Sequence, residues 1–581
     1  MIRVFARLGA LLLFAAPLAA QDTTRVFVID PDAPPIQIRS TTGPPAEVVA
    51  EAVARYNDST ATRVFGPFTV ASGTTIRGGL VGYRGTLRVV GRVTGPITII
   101  NGNLIIGPLG TVEGDLLIIG GRLVVSPSGR HIGSARAYAE PALVFRNSAG
   151  ALEVREQPAT LGDLAAARTT FQAGPLKTSL SIETGKSYNR VEGLSILAGP
   201  TFTVATPNRG EIRAEFWGLL RTENDQTEQL PSLGWRTKVE WSSQATIPGG
   251  IGGRWESIVI PIDDLQLSRS EIGWSSFLFH RDYDDYFESE GLEGYGYLRP
   301  IPALRIEGSA RYDRQTTVPA SDPISLFRNH ETWRANPLVD DGHFVTLRLQ
   351  ADVDSRNNVR TPTSGWLINA FFEHGSSDDV APVALPSEVR TPIPTDRSYG
   401  YDHIGFDVRH YARINQVMRA NLRLVGGGWL SGDPLPIQKR ISLGGPGILP
   451  GYRFRSQTCA PASLTDPSQA GLCDRFLAVQ GEVRTRIPLS FRDILGSQGW
   501  LLLDRLFGGD LADVVVFGDA GKAWLTGDGP GRVPNNRIPT LSEWAYDVGL
   551  GLDLGGFAAF VSQPLTGPGG MRVTLRLQRR F

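Results

Sequence analysis

Apolar and polar positions alternate through most of the chain beyond residue 175. Leu304, Ile306, Gly308, Ala310 and Tyr312 stand between charged or polar neighbours. Val345, Leu347, Leu349, Ala351 and Val353 repeat the pattern, as do Trp366, Ile368, Ala370 and Phe372. It returns at Ile404–Val408, Ala420–Leu424, Leu477–Val483 and Val548–Leu554. The last segment, Met571–Phe581, is apolar at odd positions up to Leu577 and ends on an aromatic residue. A period of two is a β-strand with two unlike faces. Charges fall on one of those faces, at Arg348, Asp352, Asp407, Arg409, Arg423, Glu482 and Arg484. Soluble cores rarely take so many charges, whereas a wet lumen does. The pattern therefore predicts an all-β transmembrane antiparallel barrel over 176–581. At roughly 25 residues per strand and connection, that stretch makes about sixteen strands.

A different pattern occupies 62–136. The segment starting at Gly95 aligns with the one starting at Gly114, and Gly133 opens a third copy at the same spacing of 19. Gly102 falls under Gly121, Leu104 under Leu123, Pro108 under Pro127. A looser copy starts at Gly79. Short apolar strands punctuated by glycine at a fixed period predict a parallel β-solenoid. The repeat resembles bactofilin-type β-helices. Two roles stay open for it, a periplasmic scaffold or contact module and an inert spacer. Ahead of it, residues 21–61 form a Pro-rich linker with a short helix over Ala46–Tyr56, whose apolar face is Val48, Val49, Ala52, Val53 and Tyr56. Residues 1–20 read as a signal peptide: Arg3 and Arg7, an apolar run to Leu18, and Ala19-Ala20 before the cut. Residues 137–175 read as a linker, partly helical over Ala151–Thr169.

Composition narrows the function. Lys plus Arg and Asp plus Glu are 58 each, so no global field favours nucleic acid. Cys459 and Cys473, the only cysteines, sit 14 apart and are expected to form a local disulfide in an oxidising compartment. The seven histidines are scattered and no hydrolase, zinc-protease or phosphate-loop motif occurs, so no enzyme, metal or cofactor is expected. Asp282, Asp284, Asp285, Glu288 and Glu290 read as a hydrated turn in preference to a Ca²⁺ rim site, because the required loop spacing is missing.

Several motifs carry a family resemblance. Ile441–Phe454, with Gly451, Tyr452 and Arg453, resembles the inward-folded loop of the outer-membrane assembly-factor superfamily. That superfamily, bacterial surface antigens among it, includes the barrel insertase and the two-partner secretion transporters. Phe517-Gly-Asp519-Ala-Gly521 is similar to its Phe-x-Asp-x-Gly strand, and Asp354-Ser-Arg356 with Pro362 and Gly365 to another strand start. The terminal Phe581 fits the outer-membrane strand signal. Tyr188–Leu194 and His280–Phe287 resemble related uncharacterised barrels. The resemblance implies a barrel in outer-membrane lipid that helps client outer-membrane or secreted proteins insert or cross, without enzymatic chemistry, through a weakly closed seam between first and last strands. It also implies a loop arginine paired with the aspartate of the Phe-x-Asp-x-Gly strand. The position before Gly451 is Pro450, so Arg453 is expected to pair with Asp519, with Arg455 as the alternative and a solvated Arg453 as the plainer reading. The family's periplasmic client-capturing modules are not recognisable in 21–175, where the solenoid stands and offers a surface for periplasmic partners. A passive pore and a structural envelope protein are the competing readings.

Overall fold

The computed structural model describes the chain from residue 44 on, apart from residues 45, 139–141, 143, 147–149, 155–165, 174–175, 207–209, 224–230, 244–246, 358–361, 416, 461–470, 489–510, 555–556, 568 and 581. The signal peptide, most of the Pro-rich stretch and Phe581 lie outside the described residues. Two compact units divide the chain, 1–158 and 159–581.

The first unit is a parallel β-solenoid. Strands Thr62–Phe65, Leu80–Val89, Ile97–Ile106, Leu116–Ile119 and Ala135–Tyr138 stack in sequence order. The repeat read from the sequence is the rung: Ile97 lies beside Leu116 and Leu104 beside Leu123. Leu80 lies beside Ile97, so the upstream rung is two residues shorter. Inward-pointing Leu80, Ile97, Ile99, Leu116 and Ile118 build the core. Helix α1 (Ala46–Asn57) lays Val48, Val49, Ala52 and Tyr56 on the opposite face, against Tyr83, Ile100, Leu117 and Ile119. Arg136 of the last rung reaches Glu51 of α1 at 2.8 Å. The glycines at the rung corners are there for closeness: a Cβ on Gly121 would meet the Gly102 carbonyl oxygen at 1.8 Å. The expected helix over Ala151–Thr169 is not what the described part forms. Leu152–Val154 pairs with Val144–Arg146, and Ala166–Ala173 is a strand of the second unit. Arg168, Thr169, Thr170 and Phe171 suit a strand, and their partners in the next strand override the helical reading.

The second unit is one antiparallel sheet. Its strands are β1 (Ala166–Ala173), β2 (Leu176–Asn189), β3 (Gly193–Thr206), β4 (Gly210–Arg221), β5 (Leu233–Ser243), β6 (Gly249–Pro261), β7 (Tyr286–Ile301), β8 (Leu304–Thr317) and β9 (Gly342–Asp354). They continue as β10 (Gly365–Ser377), β11 (Tyr399–Arg413), β12 (Met418–Gly432), β13 (Arg475–Pro488), β14 (Leu511–Thr526), β15 (Ala545–Asp553), β16 (Ala558–Pro564) and β17 (Arg572–Arg576). Each pairs with the next, and a two-residue strand, Arg532–Val533, adds to the end of β14. From Leu176 onward the described residues form sixteen antiparallel strands, where about sixteen were expected; β1 precedes them.

One face of this sheet is apolar and exposed. Phe216, Trp255, Leu292, Tyr312 and Val345 lie in one row across neighbouring strands, and all are exposed. Val483, Val516, Leu550, Val561 and Val573 make another row of exposed apolar side chains. The other face buries charge: Arg423, Glu482, Arg484 and Asp513 are each at most 6 % exposed. A greasy outside and a polar inside define a membrane-spanning β-barrel. Among the described residues no helix is long and apolar enough to cross a membrane.

Long connections leave one end of the barrel, after β6, β8, β10, β12 and β14, while most turns at the other end are short. The connection between β6 and β7 carries helix α2 (Arg269–Phe279), started by a capping box between Ser268 and Glu271.

Candidate functional site

The connection between β12 and β13 folds back onto the inner wall as a strap. Leu443, Ile448 and Leu449 are fully buried against Val425, Ala478, Ala523 and Ala545. Gly521 is small because the strap lies on it: a Cβ there would meet Leu443 and Leu449 side chains at 3.2 and 3.4 Å. Gly447 passes so close to the connection after β6 that a Cβ would meet the Gln266 carbonyl oxygen at 1.7 Å. The Gly451 N–H donates to Asp547 Oδ2 at 2.6 Å, and the Tyr452 hydroxyl reaches the Tyr546 carbonyl at 3.0 Å. At the base of the strap Cys459 and Cys473 form the expected disulfide. Ile441 pairs with Cys473 there, and Leu443 with Gln457.

Phe517, Asp519 and Gly521 all point inward, as the motif implied, yet the cation on Asp519 is not the expected one. Arg453 is exposed, and Asp519 is paired with Arg580 from the chain's C-terminal end. The Arg580 guanidinium also lies 3.7 Å over the Phe517 ring. Gln480 joins the two elements, donating through Nε2 to the Gly447 carbonyl at 3.1 Å and to Asp519 at 3.3 Å. The reason is in the end of the sheet. The last strand stops at Arg576 instead of running on to the terminus, and Leu577–Arg580 turn inside, so Arg579 and Arg580 face the acidic wall. Alternation in Met571–Leu577 predicted the strand but not its early end, because a two-residue period persists after the backbone has left the sheet.

Arg455, the alternative cation, is partly buried and pairs with Asp285. It belongs to a second cluster, at the long-loop end, that joins the segments Tyr188–Leu194 and His280–Phe287. Arg190, wholly buried, donates to Asp282 at 3.1 Å, to Asp285 at 2.8 Å and to Asn336 at 3.0 Å. Arg334 meets Asp285 at 2.5 Å and stacks over Phe454 of the strap at 5.0 Å. Asn336 fixes the strand end, accepting the Tyr286 N–H and donating to the Tyr286 and Val318 carbonyls. Asp282, Asp284 and Asp285 are thus not a hydrated turn but the anionic half of a buried ion-pair cluster, while Glu290 is exposed and Glu288 lies by Arg221. Among the described residues no group of side chains suited to a metal ion occurs. Burial, with Asp263 and Asp282 beside it, pushes the Asp284 carboxyl well above the usual carboxylate range. Burial and the nearby Arg190 lower Arg334 and Arg455 to about 9.

The seam is the third feature. Among the described residues nothing pairs with the outer edge of β17, and β1 covers only Leu176–Glu183 of β2. Helix α2 touches both sides. Its Phe277 ring meets Tyr188 of β2 at 5.5 Å, and its Glu271 binds Arg576 at the end of β17 at 2.8 Å. Sequence reasoning had the loop motif, the strand motif and the seam; it lacked Gln266, Glu271, Gln480, Asp547 and the terminal arginines, which no motif marks.

Relative to wild type, Arg453→Ala is expected to change stability by less than about 0.5 kcal/mol. Arg580→Ala, which leaves Asp519 beside Asp547 without its guanidinium, costs ~1–3 kcal/mol and speeds proteolytic cleavage of the strap. Equal cleavage rates in the two variants would refute the assignment of the terminal arginine.

No family model and no curated protein matches the chain. Among solved structures the chain is similar to BamA from Haemophilus ducreyi lacking POTRA domains 1–3, at 12% identity over 73% of this chain and 70% of that one, with a TM-score of 0.39. It is likewise similar to CdiB from Acinetobacter baumannii, at 11% identity over 72% of this chain and 66% of that one, TM-score 0.28. For CdiB from Escherichia coli the values are 10%, 70% and 63%, TM-score 0.30. The fold assignment rests on the strand pairing and the two unlike faces of the sheet.

Proposed function

We propose that this chain is an outer-membrane barrel that helps other proteins insert into or cross the outer membrane, by offering the edge of its last strand to an incoming strand. The observation that carries this reading is the outer edge of β17, which no strand pairs among the described residues. An open edge in hydrocarbon is costly, and added strands satisfy it. The work is non-enzymatic and needs no cofactor. The reading of residues 1–20 as a signal peptide supports a periplasmic N-terminal region, with the solenoid as scaffold or contact module for periplasmic partners. A passive pore fits less well, because the strap and the terminal residues bind the inner wall, and charges on that wall are paired, as Arg423 with Asp407 at 2.8 Å. Depletion of the protein followed by an outer-membrane proteome tests the reading. Selective loss of barrel or secreted proteins is expected; an unchanged proteome together with a large steady conductance in planar bilayers would replace it with the pore.

A further inference from the structure

We propose that α2 is a latch on the seam, released before the edge of β17 takes up another strand; this rests on the reading of that edge as the client-binding one. The latch and a client make opposite demands on the end of β17. Glu271, 4 % exposed, accepts the backbone N–H groups of Leu577 and Gln578 at 2.9 and 3.0 Å. It also takes the Arg576 guanidinium at 2.8 and 3.2 Å. These amides directly follow the last paired residue, where the chain turns out of the sheet. A strand added along β17 would need this stretch extended, with one of the two amides facing it, and the carboxylate holds it turned. One carboxylate therefore keeps the end of β17 from extending along a neighbouring strand.

The rest of α2 is built for the same position. Glu271 is the third helical residue and closes the capping box on Ser268, so the residue that starts the helix also holds the strand. Gln578 donates to Ser270 Oγ at 3.2 Å. At its other end the helix rests on β2 through Phe277 and Tyr188, and it exposes Phe277 and Phe279. Two backbone bonds, from Leu326 and Phe327 to the Phe277 and Leu278 carbonyls, dock a loop whose Leu326 and Phe327 are exposed too. This apolar surface continues, with a helix and a loop, the kind of surface the strands turn to lipid. A side-chain tie of this sort is reversible where a full ladder of backbone bonds is not, since it depends on one charged contact.

The test uses the full chain in phosphatidylethanolamine–phosphatidylglycerol vesicles with a urea-denatured eight-stranded outer-membrane barrel as client. The pair Ser270→Cys and Gln578→Cys is joined by a short bismaleimide, which spares the native disulfide; a mono-maleimide on the same pair is the control. Cross-linking is expected to abolish client insertion, and Glu271→Ala to raise its rate about tenfold, a tenfold shift toward the unlatched state. Bilayer current is read in parallel: opening events fall on cross-linking and rise in Glu271→Ala. A cross-linked protein that inserts client and conducts like its control overturns the latch. If the current responds as stated while wild type gives the client no advantage over empty vesicles, the latch stands and the client reading fails.

Discussion

Arg190→Ala is expected to cost the barrel about 3–5 kcal/mol, the toll of leaving a buried charge cluster without a central cation. Arg190 is wholly buried and its two terminal nitrogens serve Asp282, Asp285, Asn336 and the Asp284 carbonyl. Removing it sets Asp282, Asp284 and Asp285 against one another with Arg334 and Arg455 left to compensate. The loss concentrates at the long-loop end, because the cluster ties the turn after β2, the connections after β6 and β8, and the strap. Arg190→Lys rescues little, since an ammonium does not bridge the same set of acceptors in fixed geometry. Arg281→Ala is the control: its partner Glu331 is partly exposed, as Arg281 is, and the expected change is at most about 1 kcal/mol. Unfolding free energy in lipid vesicles and protease sensitivity of the loops read both variants. Equal effects at 190 and 281 would remove the cluster from the account.

The second large effect lies on the opposite face of the wall. Leu349→Arg places a charge mid-strand in β9, on the exposed apolar side. At bilayer mid-depth this costs ~2–4 kcal/mol. Gln350→Arg, one residue on, turns the same charge inward toward Asp352, which Gln350 already reaches at 3.0 Å, and is expected to be close to neutral. Two adjacent positions of one strand thus differ by the side they face and by nothing else of note.

Much of the architecture was readable from periodicity. The alternation over 345–353 and 304–312 gave strands and their faces, and the 19-residue glycine spacing gave rungs, because both periods are imposed by backbone geometry. The inward direction of Phe517, Asp519 and Gly521 was implied by the resemblance of their motif to the family's inner-wall strand. What the pattern left out were contacts across the lumen. Arg453 and Arg455 have equal parity and equal charge in the sequence; only the packing of the strap sends Arg455 to Asp285 and leaves Arg453 in water. The pairing of Arg580 with Asp519 joins residues 61 apart, and Glu271 with Arg576 joins residues 305 apart. Neither pair has a local spacing rule. The acidic run 282–285 looked like a surface turn because the sequence does not display the arginines that bury it.

Site-specific fluorescence quenching tests the central claim most directly. The environment-sensitive label goes on single added cysteines at Leu349, Val516 and Leu550, and separately at Gln350 and Arg409, with the protein folded in lipid vesicles. The account predicts quenching of the first three by a nitroxide on the acyl chain and not by iodide in solution, and relief from the acyl-chain quencher at the other two. Iodide reaching the first three as readily as the last two, or a protein that folds fully without lipid or detergent, would contradict it.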